Sequence, residues 1–274
     1  MQPSPRELTT AVVLAAGRGT RMREPAAGVA LAPAQRRAAD RGLKGLIPFH
    51  GQPFLSYVLT SLADAGYGDV CVVVGPGADP IRAHYEADSV RRIALRWAIQ
   101  EEPLGSAHAL LAAERVVEDR DFVLINSDNL YPIEALTALR ALEGPGLIAY
   151  RRAGLLSGNI TPDRLRAYAL ITATPEGELE QIIEKPAAAQ LARAGDALFS
   201  MTCWRFAHSI FDACRAVPLS ARGEYELPDA VRYAVHAGRE RFRVVILDAA
   251  VLDLSRREDI RTVERLLSAG RVEL

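Results

Sequence analysis

A three-layer α/β sandwich, with helices on both faces of a mostly parallel mixed sheet, is predicted by three observations. Short apolar runs alternate with amphipathic stretches through the first half of the 274-residue chain, the pattern of repeated βα units. One run, Cys71-Val72-Val73-Val74, is apolar throughout, as a parallel strand buried on both faces must be. The first run, Ala11-Val12-Val13-Leu14-Ala15-Ala16, feeds into the glycine-rich turn Gly17-Arg18-Gly19-Thr20-Arg21-Met22, at the strand end where open parallel sheets bind ligands.

In chain order, strands are expected at 12–15, 70–74, 93–99 and 122–125, and helices at 55–65, 80–87, 106–117 and 132–142. After Gly146 the connections become less regular. Strands are expected there at 147–151, 168–174, 178–183, 199–205 and 242–247, with Thr174-Pro175-Glu176-Gly177-Glu178 as a hairpin-like turn. No linker-like stretch divides the halves, so one domain of two lobes is expected, about 10–145 and about 146–274. The stretch 256–268 is amphipathic, with Ile260, Val263, Leu266 and Leu267 on one face. It is expected to close the chain, with no repeat domain appended.

Composition narrows the function classes. Hydrophobic residues make up 49% and charged residues 24%, ordinary values for a globular protein with a real core. With 33 basic and 34 acidic residues the net charge is −1, so no global basic field exists to attract nucleic acid. Cys71, Cys203 and Cys214 are widely spaced in apolar contexts, read as reduced core residues, and form no CxxC zinc motif. No segment approaches the length of a membrane span, and the opening residues 1–6 lead into too short an apolar stretch for a signal peptide. A cytoplasmic protein is expected, with homo-oligomer formation left open.

The glycine turn matches neither common phosphate signature. Thr20-Arg21 stands where a P-loop ends in Gly-Lys-Ser/Thr, and Met22 stands where a dinucleotide fingerprint needs its third glycine. What remains is a backbone cradle with a guanidinium added, suited to a polyanion. Five further motifs follow: Lys44-Gly45-Leu46-Ile47-Pro48, the stretch Gln100 to Ala109, Asn126-Ser127-Asp128-Asn129 at a strand end, Glu184-Lys185-Pro186, and Leu252-Asp253-Leu254. Each alone has an ordinary explanation: a tight turn, a surface lysine, a helix cap, a solvated pair. In this order they resemble the sugar-1-phosphate nucleotidylyltransferases, the NDP-sugar pyrophosphorylases, from about Ala11 to Leu267.

The resemblance implies a Rossmann-like fold of the nucleotide-diphospho-sugar transferase type. It also implies a Mg²⁺-dependent reaction of an NTP with a sugar 1-phosphate that releases pyrophosphate. The incoming phosphate is mostly a dianion at neutral pH, with a second pKa of about 6 by analogy with phosphorylated side chains. No general base is therefore needed, and positioning plus cations should dominate. Carried onto this sequence, the catalytic set is Arg21, Lys44, Asp128 and Lys185, with Asp128 and Asp253 on the metal. The nucleotide is expected on Leu14, Ala15, Ala16, Gly17, Gly19, Thr20, Arg21, Gln100, Gly105 and Ser106. Gln100 would match a base edge with both halves of its amide, and His108 is expected to be structural.

The acceptor is expected on Asn129, Tyr168, Ala169, Glu184, Lys185 and Glu226, the last from Arg222-Gly223-Glu224-Tyr225-Glu226, which resembles the family's Arg-Gly-Glu-x-Glu segment. Two departures, Ala169 in place of a frequent glycine and Met201-Thr202-Cys203-Trp204 in place of Gly-x-Tyr, leave an uncommon sugar or cyclitol phosphate open. A non-sugar acceptor of the phosphocholine or cofactor type is the alternative within the fold. A GT-A glycosyltransferase, expected to carry Asp-x-Asp rather than Ser127-Asp128-Asn129, is the alternative from another class. A silent regulator would be expected to lack the charged set, which is intact. Residues 23–43 separate Arg21 from Lys44 by more than the family pattern. This insertion is either a solvated loop with a short helix or a lid whose Arg36, Arg37 and Arg41 meet a phosphate.

Overall fold

The computed structural model describes residues 8–87, 90–237, 240–267 and 272–274. The opening segment 1–6 and Ser268, the expected last residue of the closing helix, lie outside them. Strand β1 (Thr10–Ala15) runs through the glycine turn into α1 (Thr20–Arg23), and α2 (Pro33–Asp40) forms within the insertion. A minimal hairpin, β2 (Pro48–Phe49) with β3 (Gln52–Pro53), leads into α3 (Phe54–Asp64). The alternating half is completed by β4 (Asp69–Val74), α4 (Asp79–Ala87), β5 (Ala94–Ile99), α5 (Ser106–Val117) and β6 (Phe122–Asn126). Then come β7 (Asn129–Leu130), α6 (Ile133–Ala141), β8 (Gly146–Arg151), α7 (Arg152–Leu156), β9 (Ala169–Ala173) and β10 (Leu179–Ile183). The chain continues with α8 (Ala188–Arg193), β11 (Leu198–Phe206), α9 (Ile210–Ala216), α10 (Leu227–His236), β12 (Arg243–Leu247), β13 (Leu252–Asp253) and α11 (Arg257–Leu266).

Among the described residues one nine-stranded sheet runs β10-β9-β11-β6-β1-β4-β5, with β8 and β12 joined alongside β11. The β6-β1-β4-β5 portion is parallel, and β11 pairs antiparallel with β6, β8 and β9. Alternate residues of each parallel strand enter two different cores. Val13, Val72, Val123 and Ile125 pack on the side of α3, α6 and α11, while Val12, Cys71, Val73 and Leu124 pack on the side of α5, α9 and α10. Two covered faces explain why these strands read as continuous apolar runs. All three cysteines are free and buried, and burial pushes the Cys71 and Cys214 thiols up to about 12.

The cleft arises from one irregularity. The first half of β11 pairs with β9 and the second half with β6, and between them the register slips at Met201-Thr202. Thr202 adopts φ 58°, the left-handed region that β-branched residues avoid. Buried Tyr131 stabilises the slip by donating its hydroxyl to the Met201 carbonyl at 2.6 Å. Strands β6 and β9 thus diverge, and the gap opens beyond the carboxyl end of β6.

Two expectations are corrected. Leu266 is 40% exposed, because α11 turns Ile260 and Val263 inward and leaves Leu266 outside the stripe. The insertion does form the expected short helix, but that helix is docked rather than solvated: Leu31, Gln35 and Ala39 are buried. Gln35 donates to the Pro48 carbonyl and to Glu264 on α11, and Arg257 of α11 holds both Asp40 and the Met22 carbonyl. Arg36, Arg37 and Arg41 are exposed on this docked helix and its exit.

Candidate active site

Two short ladder strands set two carboxylates side by side. β13 pairs antiparallel with β7, matching Asp253 to Asn129, and Leu254 N–H donates to the Asp128 carbonyl at 2.8 Å. Asp128 lies just past β6, and its carboxylate pairs with Lys44 Nζ. Asp253, 3% exposed, has a saturated carboxylate. One oxygen accepts from Asn129 Nδ2 at 3.0 Å and Ser255 Oγ at 2.9 Å; the other accepts from Tyr168 Oη at 3.0 Å and from Arg164. Burial, and then the nearby Asp128 charge, raise the Asp253 pKa against the opposing pull of Arg164. Burial raises the Tyr168 pKa as well, so its hydroxyl stays a donor to Asp253. Asp253 is no helix cap. That role belongs to Asp259, whose carboxylate accepts from Ser255 N–H and Arg256 N–H at the start of α11.

The glycine turn meets this pair from the β1 side. Ser127 N–H donates to the Leu14 carbonyl, and Arg21 and Asp128 line the same cleft. Gly17 has open space where a Cβ would stand, as a cradle exposing its backbone requires. Gly19 is glycine for a different reason. Its φ is 61°, and a Cβ there would lie 2.4 Å from the carbonyl oxygen of Gly42, so the insertion's end is packed onto the turn.

On the expected base side, Gln100 is 4% exposed and commits its amide donor group to the Gly105 carbonyl and His108 Nδ1. The expectation that both halves of this amide face a base is corrected: the donors are held inside the protein. Gly105 lies at φ 112°, and a Cβ would meet Tyr225 O at 2.4 Å. Tyr225 N–H donates to Leu104 O, Ala107 N–H donates to Tyr225 O, and Leu227 N–H donates to Ser106 Oγ. Residues 104–107 and 225–227 are therefore zipped together. His108 stacks on Tyr225, a structural role as expected.

On the acceptor side, Tyr168, Ala169 and Glu184 line the cleft with Asn129, Met201 and Thr202. Burial raises the Glu184 pKa despite the cations Lys185 and Arg222. Glu226 is corrected: it is 6% exposed, is gripped by both ends of the Arg222 guanidinium, and is not part of the cleft wall. Arg222 also reaches Glu184 at 3.7 Å, so one guanidinium serves both carboxylates. Lys185 is exposed at the rim with φ 47° and does not line the cleft.

The cleft, of about 230 Å³, thus collects Arg21, Ser106, Asp128, Asn129, Tyr168, Ala169, Glu184 and Asp253 from six chain regions. Sequence reasoning missed Arg164, Arg222, Tyr131 and Ser255. Arg222 opens a motif already singled out and Ser255 adjoins another, whereas Arg164 lies in an irregular connection with no periodicity or motif to mark it.

The donor chemistry fits a magnesium ion. Two hard carboxylates, Asp128 and Asp253, line the cleft together, each carrying a cation, Lys44 on the first and Arg164 on the second. Mg²⁺ suits such a site, since it takes one or two carboxylates and completes its shell with water and substrate phosphates.

The fold is a three-layer α/β sandwich with a polar cleft beyond the parallel strands, and comparison with known proteins specifies the class of protein. The nucleotidyl transferase family model matches residues 10–269, and the chain belongs to that family. It is 30% identical over 257 residues to the UTP–glucose-1-phosphate uridylyltransferase AglF of Haloferax volcanii, covering 94% of this chain and 96% of that one. It is also 30% identical to a glucose-1-phosphate thymidylyltransferase of Streptomyces griseus, spanning 94% of this chain and 65% of the relative. A UDP-glucose pyrophosphorylase complexed with UDP-glucose shares the fold with a TM-score of 0.73 at 17% identity, over 96% of this chain and 100% of that one. No helix among the described residues is long and apolar enough to cross a membrane.

Proposed function

We propose that this enzyme transfers a nucleotidyl group from an NTP to a sugar 1-phosphate, releasing pyrophosphate. A phosphate oxygen of the sugar phosphate forms the new bond to the α-phosphorus, and the bond from that phosphorus to the β-phosphate bridging oxygen breaks. The observation that carries this reading is the cleft itself. Arg21, Tyr168, Glu184, Asp128 and Asp253 line it together, with Arg21 following directly on the glycine turn. That is the layout needed to bring two polyanions together in line.

Mg²⁺ on Asp128 and Asp253 would offset charge on the reacting phosphates. Arg21 neutralises the triphosphate and the departing pyrophosphate. Lys44, which is paired with Asp128, is assigned to the α-phosphate. Lys185 at the rim meets the incoming sugar phosphate, and Glu184 accepts from sugar hydroxyls. Nucleotide contacts are assigned to the backbone of residues 14–20 and to the Gln100–Ser106 wall. The two lobes act as one domain, working in the cytoplasm.

The names of the relatives make UTP or dTTP with glucose 1-phosphate the first pairs to assay. The test is pyrophosphate release and NDP-sugar formation across a panel of NTPs and sugar 1-phosphates. Pyrophosphate release that depends on both substrates supports the reading, and its absence with every pair overturns it.

A further inference from the structure

Asp253 is a metal ligand only if one of its four donors lets go, and Arg164 is the one equipped to do so. Its guanidinium is shared between Asp253 and Asp259, with 12% of the side chain exposed, while both carboxylates are nearly buried. Asn129, Ser255 and Tyr168 donate as neutral groups and can stay in place around a bound cation. Arg164 carries a full positive charge on the oxygen shared with Tyr168, where a divalent ion would meet electrostatic repulsion. If it withdraws from Asp253 it keeps its contacts with Asp259, and the incoming ion takes over as the counter-charge of Asp253, so neither partner is left a buried unpaired charge.

We propose that Arg164 is the positioning residue of the metal site: a built-in counter-cation that holds Asp253 and suppresses metal binding until the nucleotide's phosphates arrive with the ion. This rests on the assignment of Asp253 to the metal. Lys44 plays a matching part at Asp128, so each carboxylate carries its own cation. Together the two cations make the pair a poor site for a free divalent ion. A metal already chelated by triphosphate is the better competitor, because the phosphates supply negative charge to Arg21 and Lys44 as well. Metal and nucleotide binding are thereby coupled, and a coupling between two ligands is reciprocal.

The test is a Mn²⁺ titration of the full-length protein without nucleotide, with free Mn²⁺ followed by electron paramagnetic resonance. Thermal melts first establish that each variant is folded. Arg164→Gln is expected to bind Mn²⁺ at least about tenfold more tightly than wild type, because an adjacent unit charge shifts such equilibria by one or more decades. Arg164→Met, similar in bulk and uncharged, gives the same measurement should the glutamine variant unfold. Arg164→Lys, which keeps the charge, is expected to stay close to wild type. Adding Asp253→Ala to Arg164→Gln should abolish the gain. Equal Mn²⁺ affinity in wild type and Arg164→Gln, with Asp253→Ala still weakening binding, overturns the role of Arg164 and leaves the metal assignment standing. Equal affinity in all of these proteins, the double variant included, overturns both.

Discussion

Replacing Gly105 by alanine strikes the seam between the nucleotide wall and the acceptor wall. The residue lies at φ 112° and ψ 178°, and its Cβ would stand 2.4 Å from Tyr225 O and 2.8 Å from Tyr225 N. Alanine in that backbone region costs about 1–3 kcal/mol. The clash also forces apart two backbone hydrogen bonds, Tyr225 N–H to Leu104 O at 2.7 Å and Ala107 N–H to Tyr225 O at 2.9 Å. Each contributes about 1 kcal/mol. The total, about 3–5 kcal/mol, corresponds to a Tm loss of roughly 10 °C in a chain of this size. Because the displaced segment also carries Arg222, which holds Glu184, the KM values for both substrates should rise together. Calorimetry and steady-state kinetics read both effects. Gly144→Ala, where a Cβ meets nothing within 4 Å, is the control and should melt like wild type. A Gly105→Ala protein that melts like the control, or that changes only the NTP KM, refutes the account of the seam.

Two further predictions concern the acceptor wall. Burial lifts the Glu184 pKa above its ordinary 4.5, so as pH rises the unfolded chain loses this proton before the native protein does, and stability falls across that window. Glu184→Gln escapes this loss. Its Tm relative to wild type should therefore be higher at about pH 7 than at about pH 4, and a difference that does not change with pH counts against a buried, charge-penalised carboxylate. Lys185→Ala should raise the KM for the sugar phosphate about tenfold, the scale of one charge-assisted hydrogen bond, with little effect on the NTP KM. Equal effects on the two substrates would place Lys185 on the triphosphate instead.

The parallel half of the fold was legible because its signals are local. The runs ending at Ala15, Val74 and Asn126 are apolar on both faces, and Ser106–Val117 is helical by its own periodicity. Asp128, two residues past β6, and Asp253, at the end of β13, were legible for the same reason. What escaped depends on contacts distant in sequence. Arg164 acquires its meaning from carboxylates 89 and 95 residues away. Gly19 is explained by Gly42 and Gly105 by Tyr225, which sequence spacing does not reveal. Glu226 carries the right charge in the right motif, yet Arg222 four residues earlier claims its carboxylate. The docking of the insertion depends on Gln35 reaching Glu264, a contact spanning 229 positions.

The Asp128–Asp253 pair is proposed to support nucleotidyl transfer to a sugar 1-phosphate. The most direct test of this is coupled detection of pyrophosphate and NDP-sugar from UTP or dTTP with glucose 1-phosphate and MgCl₂, for wild type and for Asp128→Ala and Asp253→Ala. Equimolar products that require Mg²⁺ are expected, with the loss of most turnover in both variants while their folds remain intact. Near wild-type pyrophosphate release in either folded variant would contradict it.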